Sequence, residues 1–436
     1  MLDLYATKLL NIQHVLIDCI LHILQVLGMV ATATAPPVGV EAGVDAFVRE
    51  AKAAGSPLLP AMLLDRRFSG AFSPFDVTDL PQFTPRRDRS KLRIVNFIAL
   101  SGSAGIWGPA ATNASMLAVS EINGRGGIVG REIELVVRDA GSNIDEIVQQ
   151  AIDVVDNDEG DIIIGSHMSV VRVALRKVIA GRLPYIYTPV YEGGERTPGV
   201  MAIGETPRGQ SRPVIQWLAE TKHAKRWYLI GSDYVWPWLS HRALKRYIAE
   251  SGGRLVGEEF VPLGMHDHDE QVARIKAARP DVVLISLIGA NSITFNRAFA
   301  EAGLAGKMLR FCGAMDETVL LGIGADNTEN LYCSSGYFAD IASRDGDLFR
   351  ASYQAKFGRH GPPVGSVAQS NYEGLRFLEA VAAHAGSIDL RPMLGAAKNI
   401  AYRGARGEIV MRNGNAKMPI YLAEAAGLDF TLLKRF

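Results

Sequence analysis

The sequence predicts an α/β protein of two doubly wound, Rossmann-like lobes with a ligand cleft between them, preceded by a helical and irregular N-terminal extension. Three observations predict it. From Lys91 onward, strand-like and helix-like runs alternate along the chain. The central strand runs are continuously apolar, which signals parallel sheets covered on both faces. Roughly ten such runs follow Lys91, which suggests two sheets rather than one.

At 436 residues the chain exceeds one ordinary domain. An apolar share of 48% against a charged share of 21% describes a globular protein able to build sizeable cores. Lys plus Arg equal Asp plus Glu at 46 each, so the net charge is zero, which argues against a nucleic-acid footprint. Cys19, Cys312 and Cys333 are far apart and form neither a metal frame nor a disulfide scaffold.

Residues 1–90 form an extension distinct from the rest. The apolar run at 9–37 resembles a secretory signal, with a small-residue stretch "ATATA" near its end. Yet Asn11, His14, Asp18, His22 and Gln25 are spaced 3, 4, 4 and 3 apart, which puts them on one helical face. That stripe suits an amphipathic helix better than a signal, and its Asp and His oppose a membrane span. A second helix is expected over "VEAGVDAFVREAKAAG" (40–55). A Pro- and Phe-rich arm follows at 68–90.

The strand runs then appear in order: "LRIVNFIAL", "REIELVVRD", "DIIIGS", "YIYTP", "RWYLIGSD", "RLVGEEFVPL", "DVVLISLIG", "MLRFCG" and "NLYCSSGYF". Helices between them include "ATNASMLAVSEIN", "IDEIVQQAIDVVDN", "VRVALRKVIAG", "HRALKRYIAESG" and "DEQVARIKAAR". The segment "EIVMRNGNAKMPIYLAEA" reads as a hairpin turning at "NGN".

No catalytic motif emerges. The glycines of "NGRGGIVG" (123–130) close a helix and precede a strand, the reverse of a phosphate loop, so they are C-cap and turn glycines. In "HDHDE" (266–270), Asp267 or Asp269 caps the following helix, and no second ligand cluster supports a metal. No nucleophile–base set converges, which opposes an enzyme. No cofactor is called for.

What remains is a set of strand C-terminal loops rich in hydroxyls, amides and aromatics: "ALSGSAGIWG" with Ser103, "GSHMS", "YTPVYEGGE", "GSDYVWP", "IGANS" and "CGAMDE". Ligands of open α/β sheets sit at that edge. Together the loops describe a cleft that binds a small polar ligand without transforming it.

With these loops in place, residues 91–436 resemble the type I periplasmic binding proteins, the amino-acid, urea and short-chain amide receptors of ABC transporters. The carriers are "VSEINGRGGIVGREIELVVRD", "YTPVYEGGE", "GSDYVWP", "GGRLVGEEFVPLG" and "KAARPDVVL"; the "YEG" and "GSDY…P" pair is most similar to the urea/amide branch. The resemblance implies that Ser169 is the ligand-binding serine and that Tyr187 and Thr188 belong to a second oxygen-holding loop. It implies that Tyr234 closes on the ligand from the second lobe, with Asp233 structural and Trp236 and Trp238 either walling the cleft or anchoring the lobe. His167 stands where amide-binding relatives often carry an aromatic, and Trp238 where relatives often carry arginine. Glu317, with Asp316 beside it, matches an acid that pairs a ligand ammonium, which favours an amino acid or urea-like ligand over a bare hydrocarbon acid. Asn291 and Tyr337 are further candidates from a second-lobe loop and the late hinge.

The resemblance assigns 91–207 and 336–402 to lobe 1, and 208–335 and 403–436 to lobe 2. Three crossings form a hinge that closes the lobes on the ligand. It implies a solute receptor docking on ABC permease subunits, periplasmic or cell-surface if the N-terminus is a signal. The same branch includes a cytoplasmic amide sensor that regulates an operon through a protein partner, a reading the extension favours. A homodimer is compatible with either.

Overall fold

The computed structural model describes residues 88–436. The amphipathic helix and the other elements expected over 1–87 lie outside the described residues. Strand β1 (Leu92–Ile98) is buried at every position. Its apolar side chains serve two faces: Leu92 and Ile94 join one core, while Val95 and Phe97 join another. That follows from its place in a parallel sheet ordered β2-β1-β3-β4-β5, with β2 Ile133–Asp139, β3 Ile162–Ser166, β4 Tyr185–Tyr187 and β5 Val200–Ala202. Helix α1 (Gly108–Gly124) supplies Ala114 and Leu117 to the first core. Helices α2 (Ile144–Asp156) and α3 (Ser169–Ile179) supply Ile147, Val171 and Leu175 to the second.

After α1 the chain turns through "GRGGIVG". Gly126, Gly127 and Gly130 all have positive φ, and a Cβ on Gly127 would come within 2.0 Å of the Arg131 carbonyl oxygen. These are turn glycines, as their position between helix and strand predicts.

The second lobe repeats the construction. Its elements are α4 (Pro207–Thr221), β6 (Arg226–Ser232), α5 (Val235–Glu250), β7 (Arg254–Val261), α6 (Asp269–Ala278), β8 (Val282–Ser286), α7 (Gly289–Glu301), β9 (Leu309–Cys312), α8 (Glu317–Ile323) and β10 (Leu331–Ser335). Trp227 and Leu229 of β6 pack towards α4 and α5, while Tyr228 and Ile230 face α6 and α7. In "HDHDE", Asp267 Oδ1 accepts the Asp269 N–H at 3.0 Å, at the start of α6. His268 is buried, its Nε2 bonded to Thr294 Oγ1 at 3.0 Å and its ring edge-on to Phe295. Cys312 and Cys333 are buried free thiols.

Helices α9 (Arg344–Phe357), α10 (Ser366–Ala385) and α11 (Leu390–Ala397) return to the first lobe, where Phe349, Leu378 and Met393 share the core of Ile94. The C-terminal hairpin departs from expectation. Its "NGN" turn forms as read, with Asn413 and Gly414 both at positive φ. The strands β11 (Ala401–Gly404), β12 (Gly407–Arg412) and β13 (Asn415–Lys417) form a separate sheet that packs on the first lobe instead of joining the second. The cause is its one apolar face: Tyr402, Ile409 and Met411 enter the first-lobe core, with Tyr402 5.3 Å from the Phe377 ring of α10. Only β14 (Tyr421–Ala426) and β15 (Asp429–Arg435) reach the second sheet, whose order is β15-β14-β10-β9-β8-β6-β7, and they add to it antiparallel.

The chain therefore crosses between lobes near 203–206, 336–343 and 418–420. One buried cluster touches all three crossings. Glu205 Oε1 accepts from Gly336 N at 3.0 Å and from Arg406 Nη1 at 2.6 Å. Arg406 Nη1 also lies 3.0 Å from Met418 Sδ, and its Nε is 3.5 Å from Glu373 of α10. Removing the cation strands two buried carboxylates, a change that typically costs about 3–5 kcal/mol. Arg406→Leu is expected to lower the urea midpoint by a corresponding amount, and Arg406→Leu/Glu205→Gln to recover part of it; an unchanged midpoint for the single variant would remove the cluster as a support of the junction.

Candidate functional site

The C-terminal edges of both parallel sheets face a half-open cavity of about 60 Å3 between the lobes. From the first lobe, the loop after β1 is drawn tight by Asp139, whose Oδ1 accepts from Leu100 N at 2.8 Å and whose Oδ2 accepts from Ser101 Oγ at 2.6 Å. This loop sends Ala104 and Trp107 into the cavity. Ser103 serves differently: its carbonyl oxygen accepts from Ala290 N at the start of α7, at 3.2 Å, so its backbone joins the two lobes. Gly289 permits that approach, since a Cβ there would lie 1.8 Å from the same oxygen.

The β3–α3 loop brings Ser166, His167, Met168 and Ser169 to the cavity wall. His167 Nδ1 lies 3.1 Å from the Met168 carbonyl, which can only accept, so this nitrogen carries the proton. Its Nε2 accepts from Tyr185 Oη at 3.0 Å. Burial lowers the His167 pKa to about 3, and the ring is neutral. Ser169 Oγ donates to Glu192 Oε2 at 2.8 Å and accepts from Arg172 Nη1 at 3.3 Å. Arg172, one turn further along α3, bonds Glu192 at 2.6 Å and Glu195 at 3.0 Å. Its guanidinium lies 4.9 Å from the Tyr187 ring centre and 5.2 Å from that of Tyr191. The "YEGGE" acids thus neutralise a buried arginine behind the wall rather than meeting a ligand.

Tyr187 lines the cavity and donates its hydroxyl to the His167 carbonyl at 2.7 Å; burial pushes its pKa up to about 12. Thr188 is fully buried behind it, bonded to Gly165 O and Ser370 Oγ, with Pro189 and Val190 at the wall in its stead.

From the second lobe, Tyr234 and Trp236 close the opposite wall, their ring centres 6.3 Å apart. The neighbours in "GSDYVWPW" are structural: Trp238, 47% exposed, donates its indole N–H to Asp233 Oδ1 at 3.0 Å and clamps the first turn of α5. Asn291 does not line the cavity. It pins the loop after β7, bonding Pro262 O and Gly264 N. Tyr337 is buried in the first-lobe core, edge-on to Phe349.

Glu317 also stands off the cavity. Its Oε1 accepts the Ala339 N–H at 2.6 Å, and burial together with Asp316 pushes its pKa up to about 8. The acid nearer the cleft is Asp316, which caps α8 through the Thr318 and Val319 N–H groups and accepts the Trp107 indole N–H at 2.8 Å across the lobes. Of the nine expected contacts, the structure brings His167, Ser169, Tyr187 and Tyr234 to one cavity and leaves Ser103, Thr188, Asn291, Glu317 and Tyr337 outside its lining. Trp107 and Ser166 lay within the loops read from sequence without being singled out; Val367, at the start of α10, follows no strand and carried no signal. Among the described residues, no group of three His, Cys, Asp or Glu side chains is placed to hold a metal.

The sequence profile of the family described as "Periplasmic binding protein" matches residues 91–428. The chain belongs to that family. Solved structures of solute-binding proteins share its fold at low identity. An ABC-transporter solute-binding protein from Rhodopseudomonas palustris BisB5, in complex with 3,4-dihydroxybenzoic acid, superposes with a TM-score of 0.71 at 21% identity, covering 80% of this chain and 97% of that one. A periplasmic binding protein from Burkholderia mallei gives 0.73 at 17% identity, over 80% and 95% of the two chains. A leucine-binding protein from Thermotoga maritima MSB8 gives 0.70 at 18%, over 79% and 98%. The two wound lobes and the cavity between them are thus those of a type I periplasmic binding protein, a family of binding proteins.

Within this periplasmic binding protein the raised Glu317 pKa has a stability consequence. The folded state keeps the proton between about pH 4.5 and 8, where the unfolded chain has released it. Stability from this group therefore falls as pH rises through that window. Glu317→Gln is expected to melt close to the native protein at pH 4.5 and above it at pH 8.5, by an amount on the order of a few kcal/mol. Parallel melting curves for the two proteins across this range would show that Glu317 ionises normally.

Proposed function

We propose that this protein is the solute-binding component of an ABC uptake transporter and closes on a small ligand with one oxygen-acceptor end and an apolar body. The observation that carries the ligand class is the absence of charge at the cavity: among the described residues, none of the side chains lining it is ionised, His167 being neutral. An ammonium group would be left there without a counter-charge, at considerable cost. The expectation of an amino acid rested on Glu317, which stands outside the cavity lining with one oxygen accepting the Ala339 N–H. An acid or amide end instead finds the first turn of α3, where backbone N–H groups lack intrahelical acceptors and the helix dipole favours negative charge. Tyr187, Tyr234, Trp107 and Trp236 offer faces to a flat or branched body. The volume suits about four to six water-sized groups, the scale of a short acid or amide. A dihydroxybenzoate-bound protein of the same fold supports this class, and a leucine-binding one keeps the amino-acid alternative in the test.

Export to the periplasm accords with the family. The features that bear on it, and on the regulatory-sensor alternative, fall in residues 1–87, outside the described residues. No helix among the described residues is long and apolar enough to cross a membrane.

The test is a thermal-shift screen of the full chain with benzoate, 4-hydroxybenzoate, acetamide, urea and leucine. A ligand at 100 times its dissociation constant stabilises the fold by about 2.7 kcal/mol. Responses to the acids or amides are expected. In calorimetric titration, Tyr234→Ala should then weaken binding by at least about 1 kcal/mol through lost ring contact, and Glu317→Gln should leave affinity unchanged. A response to leucine alone, abolished in Glu317→Gln, would overturn the proposed class.

A further inference from the structure

We propose that Trp236 sets the length of ligand this site accepts: its indole, with Val190, divides the space between the lobes into a front cavity and a small polar compartment behind it. This rests on the reading that the cavity between the lobes takes a small acid or amide.

Two spaces meet at these residues. The front cavity, of about 60 Å3, and a rear void, of about 10 Å3, share only Trp236 and Val190 among their lining residues. The front cavity therefore ends at the indole, and its volume holds about four to six water-sized groups. Acetamide and butyramide fall within that scale, whereas the ring and carboxylate of benzoate exceed it. The rear void is the size of about one water molecule. Neither space alone takes a ring.

The rear void has its own chemistry. Beyond the partition, Gln210 and Ser211 of α4, Ser240 of α5 and Ser286 of β8 line it. Two groups on its lining residues are buried without a hydrogen-bond partner: the Ser240 hydroxyl and, one helical turn earlier, the indole N–H of Trp236. A buried polar group without a partner is unfavourable, so the compartment suits a small polar group. Gly313 keeps it open. A Cβ there would lie 3.7 Å from Gln210 Oε1 and 3.9 Å from Ser211 Oγ, filling space without a clash. The indole is held by its place in the first turn of α5, 6.3 Å from the Tyr234 ring. Gly231 lets the next residue, Pro237, pack against β6, since a Cβ on Gly231 would come within 2.7 Å of Pro237 Cβ. With the indole removed, a ligand carrying a second polar group at the far end of its body reaches donors and acceptors that the native wall hides.

Calorimetric titration of the full chain with acetamide, butyramide, benzoate and 4-hydroxybenzoate tests the partition. The native protein is expected to bind butyramide at least about ten-fold more tightly than benzoate, because overfilling a packed space is costly. Trp236→Ala should reverse that order, and should bind 4-hydroxybenzoate about three-fold or more tighter than benzoate through the rear hydroxyls and amide. Lost wall packing alone would weaken every ligand and create no preference for the hydroxyl. Adding Gly313→Ala to Trp236→Ala should erase that preference, while Gly313→Ala alone should leave butyramide affinity within about two-fold of native. Trp236→Leu, which keeps an apolar anchor, is expected to move in the same direction by less, and replaces Trp236→Ala if that variant does not fold. Native binding of benzoate as tight as that of butyramide, or a Trp236 variant that keeps the native order, would overturn the partition. If the native protein binds none of the four, the proposed ligand class fails and the Trp236 variant alone decides the partition: binding of 4-hydroxybenzoate upholds it, and no binding overturns it.

Discussion

The contact between the lobes at the cleft centres on one buried carboxylate. Asp316 caps α8 in the second lobe and in the same position accepts the Trp107 indole from the first, while its second oxygen lies 3.5 Å from Val367 N at the start of α10. A carboxylate this deeply buried is stable only when its lone pairs are occupied, and three of its donors' elements meet only when the lobes are together. Burial raises its pKa, and the hydrogen bonds from Trp107 and the backbone N–H groups work against that rise. The cavity walls follow from this contact, because Trp107 and Val367 are themselves lining residues.

Most of the architecture was legible because parallel strands buried on both faces leave an unmistakable record: apolar runs such as "IVNFI" and "DVVLIS" separated by helices. The ligand edge was legible for the same reason, since strand C-terminal ends converge in this topology whatever the side chains are. What could not be read was how each polar side chain spends its hydrogen bonds. Asn291 and Thr188 have the chemistry of ligand contacts, yet each is satisfied by backbone or neighbouring groups outside the cavity, and Glu317, with one oxygen on the Ala339 N–H, also stands outside the cavity lining. Such choices are set by distances between loops far apart in sequence. The placement of β11–β13 was missed for a related reason: the hairpin signal is local, but the surface it covers belongs to α10.

The site also separates charge from contact. Arg172, Glu192 and Glu195 form a buried ionic layer immediately behind Tyr187 and Ser169, and the surface shown to the cavity is neutral. Buried ion pairs contribute little net stability when compared with apolar packing, but they fix orientation. Here the guanidinium holds two tyrosine rings, and the tyrosine hydroxyl in turn holds the His167 carbonyl. The neutral face owes its rigidity to the charged layer beneath it.

The Glu205–Arg406 junction carries a mechanical meaning. Three chain segments that could flex separately are tied to one point by a guanidinium supplied from a turn of the first lobe. Bending any one of them drags on the others, so the many torsions available to three linkers collapse towards a single swing.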